Sequence, residues 1–188
     1  MGLFTPVWMT EKWSKKEKAI TAVQKIRDQE KLFTVATAAP LEEVRIAAIR
    51  RLTDQDRLFR IASVHRPVCD DDVAAAEMIS DPEKLFMLAL TAADEKARLT
   101  AIKKITDPDV LYRLAEMKDL SGSEERAAVM RGVRSQERLL KIALDSRRPG
   151  NAKTAASYVK NPDCAFRLAM ADTPNARYGV SSISDPKK

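Results

Sequence analysis

Glycine and aromatic residues are scarce in this chain of 188 residues, with five Gly and 5% Phe, Trp and Tyr together. A β-sandwich or barrel draws on turn glycines and aromatic strands, so both classes fit poorly. Two cysteines, Cys69 and Cys164, stand 95 positions apart with no Cys-x-x-Cys spacing. They read as reduced packing thiols, with a disulfide or a shared metal as the alternative. The single histidine, His65, cannot build a multi-histidine metal centre and reads as a solvated loop side chain. No uncharged apolar run approaches the roughly 18–20 residues that span a bilayer. Residues 1–8 lack the basic start and long apolar run of a secretion signal. Pro6 stands where a myristoylation signal carries Ser or Thr. A cytoplasmic protein without membrane attachment is the expectation.

What is present is enough to fold. Hydrophobic residues make up 45% and charged residues 32% of the chain, which suits a single domain over residues 1–188 rather than disorder. Lys and Arg number 33 against 27 Asp and Glu, a net charge of +6. That excess leaves acidic partners open but falls far short of a basic tail.

An internal repeat dominates the sequence. A small polar anchor recurs at Asp28, Asp54, Asp81, Asp107, Ser135, Asn161 and Asp185, at separations of 26, 27, 26, 28, 26 and 24 residues. Two positions before each anchor stands an aliphatic residue: Ile26, Leu52, Ile79, Ile105, Val133, Val159 and Ile183. Seven positions after it stands another, Val35, Ile61, Leu88, Leu114, Ile142 or Leu168, followed each time by alanine. Each anchor is a good helix N-cap, able to accept a first-turn amide. Pro follows in four units and Gln in three, and an acid comes next in six of seven, where the helix dipole favours it.

The anchors therefore start short second helices, expected over 29–38, 55–63, 82–91, 108–117, 136–145 and 162–170. Their paired bulky residues, such as Leu58-Phe59 and Leu111-Tyr112, are expected to turn inward. Ahead of each anchor, apolar residues recur at three- and four-residue steps, as in Leu41, Val44, Ala48, Ile49 and Leu52. These segments are expected to be longer first helices over 12–27, 42–53, 71–80, 95–106, 123–134, 151–160 and 174–184. A small-residue column (Ala22, Ala48, Ala75, Ala101, Ala155, Gly179) fits close helix contact. No run alternates with period two, so no sheet is expected. Each helix pair buries its apolar face only against its neighbours. The expected fold is all-α: a right-handed α-solenoid of about six and a half helix-turn-helix repeats of about 26 residues.

The run Val44-Arg45-Ile46-Ala47-Ala48-Ile49, with weaker echoes at Ala97-Arg98 and Arg126-Ala127-Ala128, resembles the first-helix pattern of the HEAT-repeat family, in a compact bacterial-looking form. The resemblance covers residues 12 to 185, with units shorter than that family's roughly 40 residues. It implies a scaffold that binds macromolecules, with second helices lining a concave surface and no catalytic residue. Some bacterial HEAT-like solenoids are DNA glycosylases that use aromatics and an Asp in a cleft. Here Phe33, Phe59, Phe86, Tyr112 and Phe166 are expected in the core register instead, so that activity ranks third.

The third and sixth positions of the second helices carry Lys31, Arg57, Arg60, Lys84, Arg113, Arg138, Lys141 and Arg167. Spaced i and i+3, they share a helix face and would stack into a positive stripe for an acidic peptide, another protein, or the phosphates of a nucleic acid. The plain alternative is a solvated surface, because Asp56–Arg60, Asp109–Arg113, Glu137–Lys141 and Asp163–Arg167 have the favourable i, i+4 order. A second basic set, including Lys25, Arg50, Arg51, Lys103, Lys104, Arg131, Arg134 and Lys160, closes the first helices and offsets their dipoles. Residues 1–11 are expected to cap the first repeat, through Leu3, Phe4, Val7, Trp8 and Met9, with Trp13 just beyond. No phosphate-cradling glycine loop, zinc pattern or Ser-His-acid set is present, so neither a cofactor nor a small-molecule substrate is expected. The expected function is a non-catalytic protein-interaction scaffold, with sequence-nonspecific nucleic-acid binding as the alternative.

Overall fold

The computed structural model describes residues 6–9, 12, 15–64, 70–118, 120 and 122–178. Among them are twelve α-helices, a 3-10 turn at Val7–Met9 and no strand. The first helices of the sequence units are α1 (Lys16–Gln24), α3 (Glu42–Ile49), α5 (Asp71–Met78), α7 (Glu95–Lys104), α9 (Ser123–Gly132) and α11 (Pro149–Tyr158). The second helices are α2 (Gln29–Ala38), α4 (Gln55–Ala62), α6 (Pro82–Thr91), α8 (Pro108–Met117), α10 (Gln136–Asp145) and α12 (Pro162–Ala169).

The second helices start where the anchors predict, for the predicted reason. Asp28 accepts the amides of Glu30 and Lys31 at 2.8 and 3.3 Å. Asp54 does the same for Asp56 and Arg57 at 3.0 and 3.2 Å, and Asp81 for Glu83 and Lys84 at 2.9 and 3.1 Å. Asp107, Ser135 and Asn161 each accept one first-turn amide. Backbone donation from Lys84 to Asp81 holds the Asp81 carboxyl below its ordinary range, helped by the Lys84 ammonium.

The first helices are shorter than expected, by two to four residues at their C-terminal ends. The aliphatic residue two before each anchor extended the helical period on paper. In the structure it is no longer helical: Ile79, at φ −69° and ψ 130°, and Val159, at φ −73° and ψ 110°, are extended and buried. A three- or four-residue step is equally met by one extended residue plugged into the core, so periodicity overran the helix end. The first helices, 8 to 10 residues long, are no longer than the second ones.

Contacts group the chain into two compact units, Met1–Ala101 and Ile102–Lys188. In the first, α3 packs on α1 and α5, and α4 packs on α6. In the second, α9 packs on α11, while α10 packs on α8 and α12. The closest pairs are α2 with α3, α4 with α5, and α10 with α11. The tight hairpins thus join a second helix to the first helix that follows it, whereas the two helices of one sequence unit are separated by the extended segment before the anchor.

The core columns are buried as expected: Val35, Ile61 and Leu88 in the first unit, and Leu114, Ile142 and Leu168 in the second. Each such side chain contributes roughly 1.5–3 kcal/mol on burial. Of the small-residue column Ala48, Ala75, Ala101 and Ala155 are also buried, and Ala22 is half-buried. At Gly132 of α9 the fit is tight, since a Cβ there would collide with Leu111 Cδ1 of α8. The Val7–Met9 turn packs on α1, where Trp8 is half-buried while Val7 and Met9 are exposed. Leu3, Phe4, Trp13, His65, Cys69, Gly179, Ile183 and Asp185 lie outside the described residues. The segment expected as a first helix over 174–184 opens with two i→i−3 turns, Ala176 to Thr173 and Tyr178 to Asn175, and the rest of it lies outside as well.

Candidate functional site

Six of the eight second-helix cations lie against an acid or a ring of the preceding second helix. In the first unit, Arg57 of α4 pairs with Glu30 of α2 and, through Nε, with its own cap Asp54 at 3.2 Å. Its guanidinium lies 5.7 Å from the Phe33 ring centre, and that of Arg60 lies 5.1 Å from the same ring. Lys84 of α6 sits 3.0 Å from Asp56 of α4 and 3.4 Å from Asp81. Hydrogen bonding to Asp56, then to Asp81, raises its pKa.

The second unit repeats the scheme. Arg138 of α10 pairs with Asp109 of α8, and its guanidinium lies 5.2 Å from the Tyr112 ring centre. Lys141 Nζ lies 5.8 Å from that ring centre and 3.6 Å from Glu116. Tyr112 donates its hydroxyl to Glu116 at 2.5 Å. Burial, then that hydrogen bond, raises the Tyr112 pKa, while Tyr112 and Glu116 raise that of Lys141. Arg167 of α12 bridges both carboxylate oxygens of Glu137 at 2.8 and 3.0 Å. The Cys164 thiol, 3.6 Å from Glu137, is pushed up in pKa by burial and then by that carboxylate. Lys31 and Arg113 are exposed on α2 and α8.

One expectation is extended and one corrected here. Asp56, Asp109 and Glu137 reach cations on the next second helix, Lys84, Arg138 and Arg167. A neighbouring helix that offers both a carboxylate and a ring holds a cation better than an exposed i, i+4 carboxylate alone. The fifth-position rings are also not core residues. Leu58, Leu85 and Leu111 are buried, but Phe33, Phe59, Phe86 and Tyr112 are half-buried and Phe166 is exposed. The stripe is a mixed ladder of acid, ring and cation, repeated within each unit. Small clefts lie between its steps: about 150 Å³ beside Phe33, Arg60 and Val64, and about 230 Å³ beside Glu116, Lys141 and Asp145.

Sequence reading missed two further sets. The first is the glutamines that replace proline after the anchor. Gln29 Oε1 accepts the Thr53 amide at 2.9 Å, and Gln55 Oε1 accepts those of Ser80 and Asp81 at 2.7 and 3.1 Å. Gln136 Oε1 accepts the amides of Lys160 and Asn161 at 2.6 and 2.9 Å. Each glutamine clips its unit to the approach of the next anchor, a role that its sharing one column with proline concealed.

The second set is buried and polar. Arg45 Nε lies 2.7 Å from Asp71 Oδ2, and Arg45 Nη1 donates to the carbonyls of Ala39 and Pro40 beyond the end of α2. Arg98 caps Ala92 and Ala93 after α6 in the same way. In the second unit Asn151 donates to the carbonyls of Ala115 and Lys118, and Asn175 to those of Leu144 and Ser146. Asp71, Glu125, Asn151 and Asn175 all stand ten positions before an anchor. Past the exposed Lys18 of the first unit, that column would have marked them, because Val44 and Ala97 fill it in two other units. Arg51, expected to offset its own helix dipole, instead donates to Gln24 and Ile26 at the end of α1.

Among the described residues no three His, Cys, Asp or Glu side chains converge as a metal set, and no helix is long and apolar enough to cross a membrane. Comparison with protein-family models, with curated proteins and with solved structures finds no match.

Proposed function

We propose that this chain is a HEAT-like, non-catalytic α-solenoid scaffold that binds another protein through its second helices, in the cytoplasm. The observation that carries the reading is the placement of exposed apolar side chains. Apart from Val7 and Met9, every large hydrophobic residue exposed among the described ones lies on or just after a second helix. These are Val64 and Met87 in the first unit, and Met117, Phe166 and Met170 in the second. The first helices α1, α3, α5, α7, α9 and α11 carry none. Methionine and aromatic side chains are enriched at protein interfaces, and methionine adapts its shape to a partner. Carboxylates on most of the stripe cations favour the same reading over nucleic acid, since a phosphate would have to displace Glu30, Asp56, Asp109 and Glu137.

The test is proximity labelling in cells with the wild type, with Met87→Asp plus Met170→Asp, and with a first-helix control, Lys153→Glu. The second-helix variant is expected to lose its specific partners and the control to keep them; equal loss or equal retention overturns the reading. Fluorescence anisotropy with labelled DNA and RNA at about 50 and 200 mM salt tests the alternative. Tight binding that falls by orders of magnitude between those conditions would replace the protein reading with the nucleic-acid one.

A further inference from the structure

We propose that the surface around Gln136, formed by Arg131, Arg134 and Lys160, docks an acidic segment of the protein bound by the second helices, through its Asp or Glu side chains. The proposal rests on the scaffold reading and names the chemistry of the partner.

The charge of the chain is unevenly placed. Met1–Ala101 holds 16 basic and 16 acidic residues, whereas Ile102–Lys188 holds 17 and 11, so the whole net charge of +6 belongs to the second unit. Part of that excess gathers where Gln136 clips two turns together. Its Oε1 accepts the Lys160 and Asn161 amides at 2.6 and 2.9 Å, and its Nε2 donates to the Tyr158 carbonyl at 3.4 Å. The backbone of Lys160 and Asn161 is thereby set beside the start of α10, which Arg134 and Ser135 precede. Arg131, Arg134 and Lys160 are all exposed.

The two glutamine clips of the first unit show what the fold itself requires here. Each clip brings together two caps and the residue ahead of each cap. At Gln29 these are Arg27, Asp28, Thr53 and Asp54, with a net charge of −1. At Gln55 they are Thr53, Asp54, Ser80 and Asp81, with a net charge of −2. At Gln136 they are Arg134, Ser135, Lys160 and Asn161, with a net charge of +2, and Arg131 adds a third cation one turn back on α9. Ser, Asn and Asp cap about equally well, and the helix dipole favours Asp. Capping therefore does not account for two neutral caps that each follow a cation.

The acid two residues after the cap is common to all six second helices, and here it selects the class of partner. Glu137 stands next to Gln136, and Asp163 two residues beyond Asn161. A nucleic acid presents an unbroken run of phosphates and would set some of them against these two carboxylates. A polypeptide can bring its own carboxylates to the three cations and neutral side chains to Glu137 and Asp163.

The probe is a labelled octaglutamate peptide, titrated against the full chain by fluorescence anisotropy at about 50 and 150 mM salt. Saturable binding is expected, weakened at least about ten-fold by Arg134→Glu plus Lys160→Glu. Lys25→Glu plus Arg27→Glu makes the same charge change on exposed side chains of the first unit. It is expected to weaken binding less than about three-fold at the higher salt, where distant charges are screened. An octaglutamine peptide is expected not to bind. Because the reversed side chains are exposed, far-UV circular dichroism of both variants should match the wild type, which separates loss of docking from loss of fold. No binding at about 1 mM, or equal weakening by the two double variants, overturns the proposal. So does duplex DNA that binds more tightly than the peptide and is released by Arg134→Glu plus Lys160→Glu, which would make a nucleic acid the occupant. If the peptide fails while the Met87 and Met170 variant still loses its partners in cells, only the docking proposal falls and the scaffold reading stands.

Discussion

Asn151 does the work of several residues at once. Its side chain is fully buried and its amide caps two carbonyls at the end of α8. Removing a buried donor leaves those acceptors without their partner, so Asn151→Leu is expected to cost about 1–3 kcal/mol in urea unfolding. Asn151→Asp should cost more, because a carboxylate would face the same two carbonyls. Gly132 makes a second residue-scale prediction. Gly132→Val places atoms where Leu111 already sits, and overpacking of this kind costs about 1–3 kcal/mol. An unchanged denaturation midpoint would show that Leu111 moves aside freely. The helical period of the sequence announces neither role. Gly132 reads as any helical glycine, and Asn151 stands at the expected start of the first helix over 151–160, because burial of an amide leaves no periodic trace. What could be read at this scale were the anchors, whose capping chemistry depends on one side chain and the backbone beside it.

At the scale of elements, the anchors also set a pH dependence. The Asp81 carboxyl titrates below its ordinary 3.8 because it accepts the Lys84 amide, and its capping contribution is therefore present above that value and lost as pH falls through the lower, folded one. Asp81→Asn keeps a good cap without the titration. Urea midpoints followed from about pH 5 to 2.5 should fall less steeply in that variant than in the wild type. The glutamine clips give another test: Gln136→Ala removes acceptance from Lys160 and Asn161 while leaving α10 its cap, and should cost about 1 kcal/mol with no loss of helical content. Second-helix bounds were legible to within a residue because cap, proline and acid all act locally. First-helix ends were not, since an extended core residue satisfies the same spacing as another helical turn.

At the scale of the whole molecule, the candidate surface was half legible. Its cations stand in the columns that the sequence marks, but their carboxylates also lie on the neighbouring second helix, which no single-helix argument foresees. The distinction alters how the surface should be probed. Arg57→Glu and Arg138→Glu set like charges against Glu30 and Asp109 and are expected to lower the thermal midpoint. Arg60→Glu removes only an exposed cation from the Phe33 ring and should cost no more than about 1 kcal/mol. A charge-reversal study that includes Arg57 therefore mixes lost binding with lost folding.

The buried pair of Arg45 and Asp71 has a consequence for how such a chain can change its length. Excising residues 55–81 would join Asp54 to Pro82 and bring Lys84 into the place of Arg57, still opposite Glu30, so the outer face would close without complaint. Inside, Ala97 would arrive where Asp71 had been, and Arg45 would be left as a buried charge without its carboxylate. The outer contacts accept any neighbour, while the inner pair recognises one. Units are interchangeable by their surfaces and serially numbered by their interiors. A shortened chain should fold only once Ala97→Asp has rewritten the number.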